Sequence, residues 1–174
     1  AKKTDRERIQ EKAERRQSQE NLRRTKAVQG VLVEGLDNCL IKFSRCCTPV
    51  PGDPIVGYIT RGLGVSIRRS DCANHTRDTD GGRWINVSWA ETTNEAYPAE
   101  IRLVSDERGG FVMDIATILN SLNAKVRSLS AHDTGKGTCV AVILIDVHDR
   151  DELTSIMGKL QTIRGLREIA RSGA

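Results

Sequence analysis

Aromatic residues are scarce: two Trp, two Tyr and two Phe make up 3% of 174 residues. A core must therefore be assembled from Val, Ile, Leu and Ala, and base stacking on an aromatic platform is not expected. The three histidines, His75, His132 and His148, lie far apart in sequence. A cysteine nucleophile would find no local histidine base. No Gly-x4-Gly-Lys-Ser/Thr loop is present to cradle a nucleotide phosphate. There is no Cys-x-x-Cys pair, the commonest zinc-finger spacing. No apolar run reaches the ~20 residues of a membrane span, and the N-terminal residues are charged rather than signal-like. A soluble, cytoplasmic chain without membrane partners is the expectation. Its five cysteines, an odd number without a secretory signal, read as reduced thiols rather than a disulfide framework.

Charge is present but unevenly placed. The formal net charge is +4, yet residues 1–27 hold ten Lys/Arg against five Asp/Glu. Residues 28–95 hold seven against eight, and residues 96–174 hold ten of each. The excess positive charge therefore belongs to residues 1–27. That segment reads as a charged helix, polar almost all round, with Thr4 and Glu7 at capping-box spacing. It is expected to be a solvated linker or a basic arm lying on RNA phosphate. A second bias lies between Lys42 and Arg69, where Lys42, Arg45, Arg61, Arg68 and Arg69 face one acid, Asp53.

Four of the five cysteines and three of the four prolines fall between Cys39 and Cys72. Pro49 and Pro51 remove two backbone donors, so the segment after Cys46-Cys47 is neither helix nor central strand. Pro51-Gly52 reads as a turn into a strand over 55–60, and Arg61-Gly62-Leu63-Gly64 turns the chain back through 65–67, a hairpin. Short strands are expected at 31–34 and 40–43 around the 35–38 turn, a short helix over 73–80 and a strand over 84–89. Residues 90–97 lack periodicity and read as a linker. Beyond them come a strand (99–104), a helix with apolar residues at period 3.6 (111–122), two strands (126–131 and 139–147), a second helix (151–160) and a last strand (166–170). The order βαββαβ is a ferredoxin-like split unit. The fold class is α+β: a small, β-rich cysteine domain (28–93) followed by a ferredoxin-like domain (96–174), preceded by the charged helix (1–27).

The run Cys46-Cys47-Thr48-Pro49-Val50-Pro51-Gly52-Asp53, continuing to Ile67 and closed by Arg69-Ser70-Asp71-Cys72, resembles the conserved-cysteine domain of RelA/SpoT-type (p)ppGpp synthetase/hydrolases of the stringent response. The remainder, with Asp106-Glu107-Arg108-Gly109-Gly110 opening its first helix, resembles the ACT domain that follows in that family. The resemblance implies a regulatory C-terminal part of a GTP pyrophosphokinase, with the catalytic domains N-terminal to it and no catalytic site here. It further implies docking on a ribosome carrying deacylated tRNA, with Lys42, Arg45, Arg61, Arg68 and Arg69 touching RNA. Cys46, Cys47, Asp71 and Cys72 would shape the domain. An arginine touches phosphate through a planar fork; the competing expectation is an ordinary solvated face, with these cations paired to Asp53, Asp71, Asp78 and Asp80.

For the ACT part, the resemblance implies an amino-acid ligand where two copies meet, at Asp106, Gly109, Gly110 and Lys125, with helix N–H groups taking the carboxylate. The family often carries Asn at the position of Lys125. A purely structural, homodimerising module is the competing expectation. The family has been described as zinc-finger-like. Cys46, Cys47 and Cys72 offer three thiolates and His75 a fourth ligand, but adjacent cysteines point apart in an extended chain and Arg68 stands where the family commonly has His. Small buried thiols without metal are therefore expected. The alternative function is a stand-alone ACT-type amino-acid sensor with a thiol-rich or zinc-binding accessory domain.

Overall fold

Alternation of apolar and polar residues turns most of the chain into strands. The computed structural model describes residues 29–36, 39–62, 64–76, 83–91 and 93–173. The helix expected over 1–27 lies outside the described residues, as do Asp78 and Asp80. In chain order the elements are β1 (Val31–Val33), β2 (Leu40–Phe43), β3 (Ile55–Ile59), β4 (Gly64–Arg69), α1 (Ala73–Thr76), β5 (Trp84–Ile85), β6 (Val87–Trp89), β7 (Tyr97–Asp106), α2 (Phe111–Ser121), β8 (Lys125–Asp133), β9 (Thr138–Val147), α3 (Arg150–Leu160) and β10 (Leu166–Arg171).

The second half forms the expected βαββαβ unit, an antiparallel sheet in the order β10-β7-β9-β8. Residues Ala99, Ile101, Leu103, Ala141, Ile143 and Ile145 alternate onto one sheet face and are fully buried with Ile115 and Leu119 of α2 and Leu153 and Leu160 of α3. Removing this apolar surface from water is the main stabilising contribution to the half. Helix α3 starts where Asp149 accepts the Glu152 N–H, while the Glu152 carboxylate accepts the His148 N–H. These bonds satisfy donors that the first turn otherwise leaves open.

The first half holds a sheet in the order β2-β4-β3-β5 and a separate β1-β6 pair. The β3-β4 hairpin is antiparallel, as the turn residues predict. Strands β1 and β2 do not pair with each other. Strand β1 joins β6, and β2 runs parallel to β4. The strand expected over 84–89 is broken at Asn86, so Trp84 serves one sheet and Trp89 the other. Gly57 sits where this packing is tightest, because a Cβ there would lie 2.8 Å from Val87 and 2.9 Å from Val65.

The two halves share a junction. Val50, fully buried, belongs to the core of the second half, and Phe43 and Trp89 pack against that core. The rings of Phe43 and Trp89 stack at 5.8 Å, and Tyr97 meets both edge-on. Residues 90–97 thus end in an anchor: the Tyr97 ring is buried, and its hydroxyl donates to Gln29 O at 2.8 Å. The loop 48–53 is tied down by polar contacts. Asp53 accepts from the Val50 N–H and from both Nη1 and Nη2 of Arg171, at 2.8 and 2.7 Å. Arg150 N–H donates to Pro51 O, and Glu100 N–H to Thr48 Oγ1.

Breaking a buried ion pair strands one charge in the interior, at about 3–5 kcal/mol. Asp53 and Arg171 have side chains only 3% and 14% exposed. The variant Asp53→Ala is therefore expected to lose stability of that order in urea unfolding. Loss within a few tenths of a kcal/mol would show that the pair does not hold the junction.

Candidate functional site

On β4, Val65 and Ile67 point into the core, so Ser66 and Arg68 lie on the opposite, outer face. Register puts Lys42 and Tyr58 beside Ser66, and Trp84 beside Tyr58. The outer face therefore gathers Lys42, Arg68, Tyr58 and Trp84. Arg45 is exposed in the turn after β2, and Arg61 is exposed in the β3-β4 turn at the other end of the face. Arg69 alternates the other way. It is 4% exposed, and its Nε–H donates to Asp71 at 3.0 Å. Lys42 and Arg68 thus share the outer face, Arg45 and Arg61 are exposed in turns at its two ends, and Arg69 does not join them.

The face also carries two of the chain's few aromatic rings, Tyr58 and Trp84. Trp84 packs edge-on to Tyr58 at 4.9 Å and to His75 at 4.5 Å. The readable signal was the alternation at 84–89, but its two Trp could be assigned to faces only once β5 and β6 had separated.

Beside Arg68 lies a cluster of three thiols. The sulfurs of Cys46, Cys47 and Cys72 all lie within 4.8 Å of one another. The expectation that adjacent cysteines diverge fails because this segment is not extended: Thr48 N–H bonds back to Ser44 O at 3.0 Å, coiling residues 45–47 into a turn. Thr48 itself has φ 39°, in the left-handed region. Cys46 Sγ sits 3.6 Å from Cys72 Sγ and accepts from Arg68 Nη1 at 2.7 Å. Cys47 Sγ accepts from Arg69 N–H at 3.4 Å. Gly173 passes so close beneath that a Cβ would lie 2.6 Å from Cys46 O.

Cys47 and Cys72 are electrostatically distinct. Burial pushes the Cys47 thiol up to about 12, reinforced by its thiol neighbours against one opposing backbone N–H. At Cys72, burial again opposes the anion. Backbone N–H groups of Asn74 and His75 and donation from Cys46 and Cys47 outweigh it, and the thiol lies below its ordinary value. Negative charge in the cluster therefore settles on Cys72 before Cys47.

In the second half, Asp106 is held by Arg167 at 2.5 Å, and Gly110 takes φ 85° to start α2. Arg108 bonds Asp114 and the Arg164 carbonyl. A cleft of about 250 Å³ opens beside this turn, lined by Arg108, Gly110, Phe111, His132, Asp133 and Cys139 among others. Lys125 is absent from it. It pairs with Asp146 at the opposite end of β8, 3.4 Å away. Within one chain the structure keeps Lys125 apart from Asp106, Gly109 and Gly110, and offers Arg108, His132 and Asp133 in its place.

Residues 31–90 match the family model of the RelA/SpoT RIS domain, and residues 93–171 that of an ACT domain. The chain belongs to the RelA/SpoT family. It is similar to the GTP pyrophosphokinase of Escherichia coli K12, 36% identical over 138 residues, which cover 76% of this chain and 18% of that protein. It is also similar to that of Streptomyces coelicolor, 30% identical over 150 residues, covering 86% and 18%. The chain thus spans less than a fifth of these relatives' length. Among solved structures, the ACT domain of the GTP pyrophosphokinase of Chlorobium tepidum is similar with TM-score 0.41 and 23% identity, over 44% of this chain and 99% of that one.

The zinc implied for RelA/SpoT conserved-cysteine domains does not fit the residues found here. A structural zinc takes four ligands, and the described residues bring together three sulfurs. His75 stays outside the cluster, its Nδ1 bonded to Ser70 O at 2.8 Å. The Arg68 guanidinium, itself a cation, already occupies the side of Cys46.

A thiol raised from 9.0 to about 12 is only about one-thousandth ionised at pH 9. Cys47 is therefore expected to be the slowest member of the cluster to react with iodoacetamide in the folded chain between pH 7 and 10, and to react freely after unfolding. Because its folded value is raised, the stability it contributes is complete below pH 9.0 and is lost as pH climbs toward about 12. The Cys47→Ala variant should lack that alkaline decline when unfolding free energies are compared across this range.

Proposed function

We propose that this chain is the regulatory C-terminal part of a (p)ppGpp synthetase/hydrolase, a GTP pyrophosphokinase, and that its RIS half docks on ribosomes carrying deacylated tRNA. In this reading, docking controls N-terminal catalytic domains of the parent chain. The observation that carries it is the outer face, where Lys42 and Arg68 share one side of a single sheet and the exposed Arg45 and Arg61 stand in the turns at its two ends. Guanidinium forks bind phosphate oxygens with little regard to base identity. Tyr58 and Trp84 share that face, and Trp84 packs against both Tyr58 and His75.

A second role is supported by the cleft at the α2 turn. Arg108 beside it offers a cation for a carboxylate, and Asp133 an acceptor for an ammonium group. These groups suit a free amino acid. Strand β8 forms the exposed edge of its sheet and is free to face a second copy in a homodimer.

Ribosome binding should fall steeply with salt. Removing one phosphate contact, by Lys42→Ala or Arg61→Ala, should lower the slope of log affinity against log salt by about 1. Arg69→Ala should leave the slope unchanged and lower folding stability instead, since Arg69 is buried. Binding that does not respond to salt, or to charge reversal at Arg45, Arg61 and Arg68 together, defeats the docking reading. For the cleft, calorimetric titration with branched-chain amino acids should give heat that Arg108→Ala abolishes. If no amino acid binds, the ACT half is left as a pairing module, and sedimentation would report its dimer.

A further inference from the structure

The thiol cluster has the geometry of a dithiol poised to close. Two of its sulfurs, Cys46 Sγ and Cys72 Sγ, lie 3.6 Å apart across 26 positions of sequence. A disulfide needs about 2.05 Å, so closing the gap takes roughly 1.5 Å of sulfur movement, within the reach of side-chain rotation. We propose that Cys46 and Cys72 form a reversible disulfide when the chain meets hydrogen peroxide, which makes the cluster a redox modification site. The proposal stands apart from ribosome docking and does not depend on it.

Access and chemistry divide the roles. Cys46 is the half-exposed member, whereas Cys47 and Cys72 are buried. Cys46 therefore meets the oxidant. Its sulfur attacks one peroxide oxygen, the O–O bond breaks, an S–O bond forms, and the leaving oxygen departs as water after taking a proton. Cys72 then attacks the Cys46 sulfenic sulfur. An S–S bond forms, the S–O bond breaks, and a second water leaves. Two thiols lose two electrons and two protons in all, and one peroxide is reduced to two waters. The donors around Cys72 that favour its thiolate also favour this second step.

Cys47 is excluded on three counts. It is fully buried, its sulfur is engaged by Arg69 N–H, and its thiol holds its proton. A bond between adjacent Cys46 and Cys47 would also close a small, strained ring. Cys39 and Cys139 lie outside the cluster. Closure turns the Cys46 sulfur, the acceptor of the Arg68 guanidinium, from a thiol into one half of a disulfide. It also staples the 45–47 turn, on which Gly173 rests, to the segment entering α1.

The test treats the 174-residue chain with hydrogen peroxide, quenches with iodoacetamide, and maps tryptic peptides by mass. The expected product joins the peptide 46–61 to the peptide 70–77 with the loss of two hydrogens. Titratable thiols in denaturant should fall from five to three, and dithiothreitol should restore all five. Cys47→Ser, Cys39→Ser and Cys139→Ser should keep the cross-link, while Cys46→Ser and Cys72→Ser should each abolish it. Peptide 46–61 also holds Cys47, so fragmentation of the wild-type cross-linked peptide, alkylated in denaturant, should place the iodoacetamide adduct on Cys47, which carries the result even if a variant folds poorly. Sulfinic acid on Cys46 with no cross-link would overturn the proposal, as would a bond that Cys47→Ser removes or one that joins two chains.

Discussion

A single carboxylate organises the junction. Asp53 closes its own loop through the Val50 N–H, and it receives both terminal nitrogens of Arg171 from the last strand. Arg171 also reaches the Thr48 carbonyl, so one guanidinium binds the whole turn. The prolines on either side remove competing backbone donors, and Trp89 Nε1–H donates to the Asp53 carbonyl at 3.0 Å. A paired, hydrogen-bonded charge tolerates burial that an isolated one does not. Around this pair Val50 enters the ACT core, the Phe43-Trp89-Tyr97 rings close the seam, and the RIS and ACT halves bury surface against each other.

That junction lies directly beneath the thiol cluster. Cys46-Cys47-Thr48 is one coiled turn whose sulfurs face Cys72, whose Thr48 hydroxyl receives the ACT half through Glu100 N–H, and against which Gly173 packs. The outer-face cation Arg68 touches the same turn through Cys46. Basic surface, thiols and the interface between halves are therefore neighbours in one contiguous network. A change at the sulfurs has a short physical route both to the docking face and to the ACT half.

The legible and illegible parts of the chain separate by range. The ACT helices were readable because 3.6-residue periodicity is local, and the β3-β4 hairpin because Pro, Gly and β-branched residues mark its turns and strands. The pairing of β1 with β6 and of β2 with β4 was not readable, since short strands of similar composition can pair in several ways until burial selects one. The same limit hid Arg69, which looks like its neighbour Arg68 in sequence but alternates to the buried face. It also hid the convergence of adjacent cysteines and the placing of Lys125 at the end of β8 opposite the cleft that Gly110 lines.

What the residues determined by themselves is the class of each half and its chemistry: an α+β chain, a thiol-rich basic segment, and a βαββαβ unit. These follow from periodicity, turn residues and composition, all carried within a few neighbouring positions. Only the tertiary structure decided which cations share a surface, which thiols touch, and that the two halves are seamed through Asp53 and Arg171. Those outcomes depend on contacts such as that of Asp53 with Arg171, 118 positions apart, and no local pattern specifies which distant partner a buried charge will find.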